Sequence, residues 1–169
     1  MMDVISQGLG LLGAFFNISS FQLKKNNRLI LFQFLGSSSF LFNYLLLGAF
    51  TGCFMNGAGV VRGLVFLQGE KLRKTPVLVL MNTALVVGTA LTWEGLLSLL
   101  PLVGMIAMTT AMYLNDGKLI RIAQLFISSP CWLIYNAVSG TIGGTICEVF
   151  IIVSTTVSFI RYGINGFEK

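Results

Sequence analysis

Residues 122–157 read IAQLFISSPCWLIYNAVSGTIGGTICEVFIIVSTTV, and Glu148 is the one charged side chain among them. A helix needs about 20 mostly apolar residues to cross ~30 Å of hydrocarbon. This run is long enough for two crossings, divided at Ser139-Gly140. It lacks the ten-residue alternating segments of a membrane β-barrel. Backbone groups in lipid must pair within their own segment, so each crossing is expected to be a helix.

Working outward, seven such segments are predicted, over residues 4–22, 29–49, 51–69, 76–92, 95–113, 119–139 and 141–160. The fourth is short. The second and third are separated only by Gly48, Thr51 and Gly52. Composition agrees with lipid as part of the solvent: 55% of the 169 residues are hydrophobic and 10% are charged, against about 25% charged in a soluble domain. The 19 glycines also suit membrane helices. The first residues, Met1-Met2-Asp3, lack the positive start of a cleavable signal, so the first apolar segment is expected to remain as a span.

The loops give a direction. Lys24, Lys25 and Arg28 lie between segments one and two, and Lys71, Arg73 and Lys74 between three and four. Lys118 and Arg121 lie between five and six or at the start of six, and Arg161 and Lys169 follow seven. With seven spans all ten fall on one side, while Asp3 and Glu94 fall on the other. The positive-inside rule makes the basic side cytoplasmic, with the N-terminus outside and the C-terminus in the cytoplasm. The net charge of +5 then needs no nucleic-acid partner.

The first three segments resemble the last three. At an offset of 91, Leu11, Gly13 and Leu23 match Leu102, Gly104 and Leu114, and Ser19 meets Thr110. At 92, Ile30, Phe34, Ser37 and Leu41 match Ile122, Phe126, Ser129 and Leu133, and Asn43-Tyr44 falls on Tyr135-Asn136. The same offset pairs Gly48, Gly52, Val61 and Val65 with Gly140, Gly144, Val153 and Val157. Two three-helix repeats of the same orientation, residues 1–69 and 95–169, would need one linker helix, within 70–94, to restore direction; such parallel repeats occur in transporters.

Polar residues inside the spans mark candidate sites. Glu148 must face the protein interior, a partner or water, where it would bind a polar solute, exchange a proton or tie two helices together. At the offset of 92 its counterpart is Asn56, itself open to an interhelical hydrogen-bonding role. Phe40 precedes Asn56 by 16 residues, as Trp132 precedes Glu148. A ring and a polar group from each repeat would thus face a small mid-membrane cavity. Arg62 either snorkels to the cytoplasmic end, pairs with Glu148 or binds an anionic solute. Asn136 and Tyr135, with Asn43 and Tyr44, are further candidates. Gly59-x-x-x-Gly63 is a close-packing motif. Pro101 and Pro130 would each remove a helical hydrogen bond and bend segments five and six. Cys53, Cys131 and Cys147 are read as apolar packing residues. The sequon Asn17-Ile18-Ser19 lies inside a span and is discounted. With no histidine, no metal-ligand cluster and no serine beside a base, neither catalysis nor a cofactor is expected.

The stretch from Cys131 to Glu148 closely resembles the YgjV-type bacterial inner membrane proteins, and Leu100-Pro101-Leu-Val-Gly104 and Met55-Asn56-Gly-Ala-Gly-Val-Val-Arg62 fit the same family. That family is similar to the SWEET, PQ-loop and PnuC-like superfamily, whose plan is three helices, a linker helix and three helices. The resemblance implies a bacterial inner membrane location. It also implies a solute site lined by an aromatic on the second helix of each repeat and an asparagine on the third, roles that fall on Phe40, Asn56, Trp132 and Glu148. Glutamate replaces the second asparagine, and the usual proline-glutamine pair is absent from segment one, which departs from a sugar carrier. The expectation is an all-α integral membrane protein of SWEET-like 3+1+3 plan, moving a small polar solute by alternating access. Its site would hold Phe40, Asn56, Arg62, Trp132, Asn136 and Glu148. The alternative is a non-transporting receptor or scaffold on the same bundle. Expected partners are the bilayer and the solute, and a homo-oligomer is compatible with the pattern.

Overall fold

A computed structural model describes residues 2–47, 50–93, 95–138, 142–163 and 166–167. Gly48, Glu94, Ser139-Gly140 and Lys169, and the side chains of Asp3 and Thr51, lie outside the described residues. Within these, the chain is helical: α1 Met2–Ser20, α2 Asn26–Leu47, α3 Phe50–Leu67, α4 Thr75–Leu91 and α5 Leu99–Leu114. The sixth helix, α6, is assembled from Gly117–Ala123, a π-helical turn at Gln124–Ser128, and Ser129–Val138; the seventh, α7, is Ile142–Tyr162. Short 3-10 turns at Gly69–Lys71 and Leu96–Ser98 precede α4 and α5.

Local chemistry sets several of these ends. Lys74, the N-cap of α4, is extended, as N-cap residues typically are, and Pro76 sits in the first turn of α4, where its missing N–H is no loss. Asn115 closes α5 in the left-handed region at φ 55°. Asp116 then caps α6 by accepting from the N–H groups of Lys118 and Leu119, at 2.8 and 3.1 Å.

The two prolines in question behave differently. The expected bend of segment five at Pro101 does not have its stated cause: α5 begins at Leu99, so Pro101 lies in the first turn, where no intrahelical bond is lost. Pro130 lies deep in α6. An α-helix there would set its ring against the carbonyl four residues earlier. Instead the preceding turn widens, and the Ser129 N–H bonds back to the Gln124 carbonyl five residues away.

Polarity is inverted relative to a water-soluble fold. Large apolar side chains on every helix face outward, among them Leu11, Leu45, Leu64, Leu80, Val103, Phe126 and Ile160. Gln33, Asn43, Arg62, Gln124, Asn136, Ser154 and Thr155 are buried. That arrangement suits an apolar solvent. Three helical stretches, Asn26–Leu46, Leu96–Leu114 and Gly144–Tyr162, are long and apolar enough to cross a membrane, and Gly8–Ser20, Gly52–Leu67 and Thr75–Leu91 are shorter apolar helices.

Helix α2 packs on α1 and α3, and α6 packs on α5 and α7. Between these groups α1 meets α7 and α3 meets α5, while α4 lies against α5 and α3. Gly59 and Gly63 both turn to α2, where an added Cβ would meet Ser37 and Phe34, so the small-residue motif serves close packing.

The basic loops gather at one end. The Asn26 side chain donates to the Asn115 carbonyl at 2.6 Å, Thr75 and Tyr113 share a hydroxyl hydrogen bond at 3.0 Å, and Tyr162 donates to the Gln22 carbonyl at 3.0 Å. Arg121, read from sequence as a basic residue at the edge of segment six, is instead completely buried. It donates to the Phe21 and Leu23 carbonyls that follow α1, to the Gly117 carbonyl and to the Ser158 hydroxyl. Its guanidinium also sits 3.8 Å from the centre of the Phe167 ring. Carbonyls left open at the end of α1 thus receive a cation, as the helix dipole favours.

Candidate functional site

A cavity of about 110 Å³ lies between the two groups of helices, lined by residues of α1, α2, α3, α5, α6 and α7 and by none of α4 among the described residues. Phe40, Asn56, Arg62, Trp132, Asn136 and Glu148 all line it. Five pairs of lining residues stand 92 positions apart: Phe40 and Trp132, Tyr44 and Asn136, Met55 and Cys147, Asn56 and Glu148, Gly59 and Ile151.

Glycines place the walls. An added Cβ at Gly13 would strike the Phe40 ring, and one at Gly104 would press on Trp132 and the Ser128 backbone. An added Cβ at Gly52 would strike the Tyr44 ring, and one at Gly144 the Asn136 amide. Each pair of glycines and each pair of contacted side chains is separated by 91 or 92 residues, so the same close approach is built twice. Beside this, Gly36 leaves room for the Asn17 amide, which also lines the cavity.

The polar groups are unequally satisfied. Asn56 donates to the Gly52 carbonyl of its own helix at 2.9 Å. Ser129 hydrogen-bonds the Glu148 carboxyl and accepts from Gln124 Nε2 at 2.7 Å. Gln124, Ser129 and Glu148 therefore form a chain, and the π turn before Pro130 sets its register. The other carboxyl oxygen, Glu148 Oε2, is shielded and has no hydrogen-bond partner among the described residues. Arg62 is buried, at 7% exposure, so it does not snorkel. Its Nη1 contacts the Met105 sulfur at 3.7 Å, a weak acceptor. Arg62 and Glu148 make no ion pair with each other among the described residues. A basic and an acidic side chain thus border one cavity without pairing directly among the described residues.

Of the remaining candidates, Tyr44 reaches the cavity, and Tyr135 packs edge-on against Trp132 with ring centres 5.9 Å apart. Asn43 ties α2 to α1, donating to the Ser6 carbonyl at 2.6 Å and the Ser6 hydroxyl at 3.0 Å. Cys53, Cys131 and Cys147 are free thiols, and no group of metal-ligating side chains occurs among the described residues. Asn17, Gln33 and Gln124 also line the cavity but do not stand out in the sequence. At the offset of 92 Gln33 falls on Leu125 and Gln124 on Phe32, but at 91 the two glutamines fall on each other. Gln124 was discoverable from its place five residues before Ser129-Pro130.

No solved structure matches the chain. It is 25% identical over 158 residues to "Inner membrane protein YgjV" of Escherichia coli (strain K12), a similarity covering 94% of this chain and 84% of that protein. Residues 4–165 match the family Imp-YgjV, described as bacterial inner membrane protein. The inside-out distribution of polar and apolar side chains has its explanation in that match: this chain belongs to the Imp-YgjV family of bacterial inner membrane proteins.

Proposed function

We propose that the protein carries a small polar solute across the inner membrane by alternating access, its two three-helix groups rocking about the cavity that contains Asn56, Trp132 and Glu148. The observation that carries this reading is the pairing of lining residues across the offset of 92, which surrounds the cavity with two similar walls. A 3+1+3 plan related by a pseudo-two-fold axis accounts for that pairing. It also accounts for the α1–α7 and α3–α5 contacts, which such an axis would exchange, and for a linker, α4, that stays off the cavity. In parallel-repeat transporters the solute sits at the repeat interface near mid-membrane.

Glu148 serves this function by binding the solute or by exchanging a proton, its carboxyl held at one oxygen by Ser129. The end that collects Lys24, Lys74, Lys118 and Arg161 faces the cytoplasm, with the C-terminus there and the N-terminus outside. Catalysis is not part of the reading, because the charged groups lining the cavity are Glu148 and Arg62 alone among the described residues and a reaction centre draws on several convergent titratable groups.

The test is uptake of a pooled set of isotope-labelled small polar metabolites into proteoliposomes. The unmodified protein accumulates at least one of them above protein-free vesicles, and Glu148→Gln lowers that uptake sharply. Unchanged uptake in Glu148→Gln would remove Glu148 from the mechanism. No accumulation by correctly folded protein would favour the receptor or scaffold.

A further inference from the structure

The charges that border the cavity restrict what can occupy it. A buried guanidinium whose one hydrogen-bonding side chain among the described residues is a thioether, and a shielded carboxyl oxygen with no donor among them, are each costly where little water reaches them. Their positions are complementary. Asn56 and Glu148 stand at matching places on α3 and α7, and Arg62 follows Asn56 by six residues, or ~9 Å along the helix. A helical side chain leans toward the N-terminus of its helix, so Arg62 reaches back toward the level of Glu148, and its Nη1 meets Met105 on the facing helix α5. The remaining Arg62 N–H groups have no partner among the described residues.

We propose that the cavity binds a small zwitterion, with the solute carboxylate on the Arg62 guanidinium and its ammonium on the Glu148 carboxylate. A neutral polyol would satisfy neither charge fully. A simple anion would leave Glu148 without a counter-charge, and a simple cation would leave Arg62 so. A zwitterion supplies one charge of each sign in a single molecule and remains neutral overall as it crosses the low-dielectric region. The rings of Trp132, Tyr44 and Phe40 line the same cavity and offer the ammonium faces of favourable quadrupole. Ser129 occupies one side of the carboxyl, and Oε2, shielded in this structure, would turn toward the cavity to meet the incoming ammonium. The cavity volume of about 110 Å³ leaves room for a small zwitterion such as glycine or β-alanine. This assignment names the solute class for the transport reading and rests on it, but the binding it requires can be measured without transport.

Trp93 is half exposed and does not line the cavity, so Trp93→Phe leaves Trp132 as the only indole, inside the site. In detergent-purified Trp93→Phe protein, glycine or β-alanine should change the indole emission saturably. Ethanolamine, which lacks the carboxylate, and glycolate, which lacks the ammonium, should bind about tenfold or more weakly, as loss of a buried charged partner implies. Adding Arg62→Met should abolish the preference for glycine over ethanolamine, and adding Glu148→Gln the preference for glycine over glycolate. Melting curves without solute report whether each variant is folded, and Arg62→Lys keeps the charge if Arg62→Met is not. The solute series on Trp93→Phe protein decides the matter even if no Arg62 variant folds. Equal binding of glycerol, ethanolamine or glycolate, or no response to either zwitterion, overturns the proposal. In that event, uptake of some other labelled solute by proteoliposomes would leave the transport reading standing, and no uptake at all would remove both.

Discussion

The two cavity walls share a backbone plan and differ in where their charges lie. In the first wall, Phe40 rests against Gly13 and Tyr44 against Gly52; in the second, Trp132 rests against Gly104 and Asn136 against Gly144. The first wall places a neutral amide at Asn56 and a cation at Arg62; the second places an acid at Glu148 and a hydroxyl at Ser154. Ser154 donates to the Ile18 carbonyl at 2.7 Å and receives Gln22 Nε2 at 3.0 Å, so its position knits α7 to α1. Its counterpart Arg62 instead faces the cavity. The second helix differs too: α2 is continuous over Asn26–Leu47, whereas α6 is interrupted by the π turn at Gln124–Ser128. On the proposed two-repeat plan, the walls keep the small-residue contacts and differ at positions where the side chain faces the cavity or the basic end.

The largest effect expected from erasing a difference is at Arg121. Its counterpart in the first repeat is Leu29, buried without any polar role. Arg121→Leu would leave the Phe21, Leu23 and Gly117 carbonyls without these donors, at a cost of about 3 kcal/mol or more. The melting temperature in detergent should fall further than for any other single change described here. A fall no larger than that of an exposed substitution such as Lys25→Ala would show that α1 does not depend on this cap.

Next are the paired glycines. Gly13→Leu and Gly104→Leu should each cost about 1–3 kcal/mol by overpacking. Gly13→Leu should be the worse, because its Cβ would come within 2.8 Å of the Phe40 ring, whereas at Gly104 the nearest atoms, of Ser128 and Trp132, lie at 3.3 Å. Thermal melts compare them directly, and the reverse order would contradict the contacts. The π turn follows. Pro130→Ala restores an N–H and permits a regular helix, as in α2. It should be neutral or stabilising by about 1 kcal/mol, yet it should alter uptake by moving Ser129 relative to Glu148. Unaltered uptake would detach the turn from the site. The smallest effect is Asn43→Ala, about 1 kcal/mol from the lost bonds to Ser6, with uptake retained.

Much of the helical plan is legible in the sequence because lipid-facing helices need long apolar stretches and tolerate charge mainly at their ends. The offset of 92 groups Phe40, Asn56, Trp132 and Glu148 in the sequence, and all four line one cavity, as the proposed two-repeat plan would have it. Three features were hidden, for separate reasons. Arg121 looks like a loop cation because a basic residue at a helix start is ordinary, and only tertiary structure brings the end of α1 to it. Gln33 and Gln124 match each other at an offset of 91 but sit across from Leu125 and Phe32 at 92, so a search for symmetry at 92 passes over them. Pro101 looked like a bend because the apolar run begins at Gly95, while the α-helix starts at Leu99 after a 3-10 turn.

Alternating access requires that water reach the level of Asn56 and Glu148 from each side of the membrane in turn. Asn56→Cys, in a background with Cys53, Cys131 and Cys147 replaced by alanine, can be exposed to a membrane-impermeant thiol reagent from the outside and, in inverted vesicles, from the cytoplasmic side. The transport account expects modification from both sides, slowed by solute. A thiol that reacts from neither side in folded protein would mean a dry core and would contradict it.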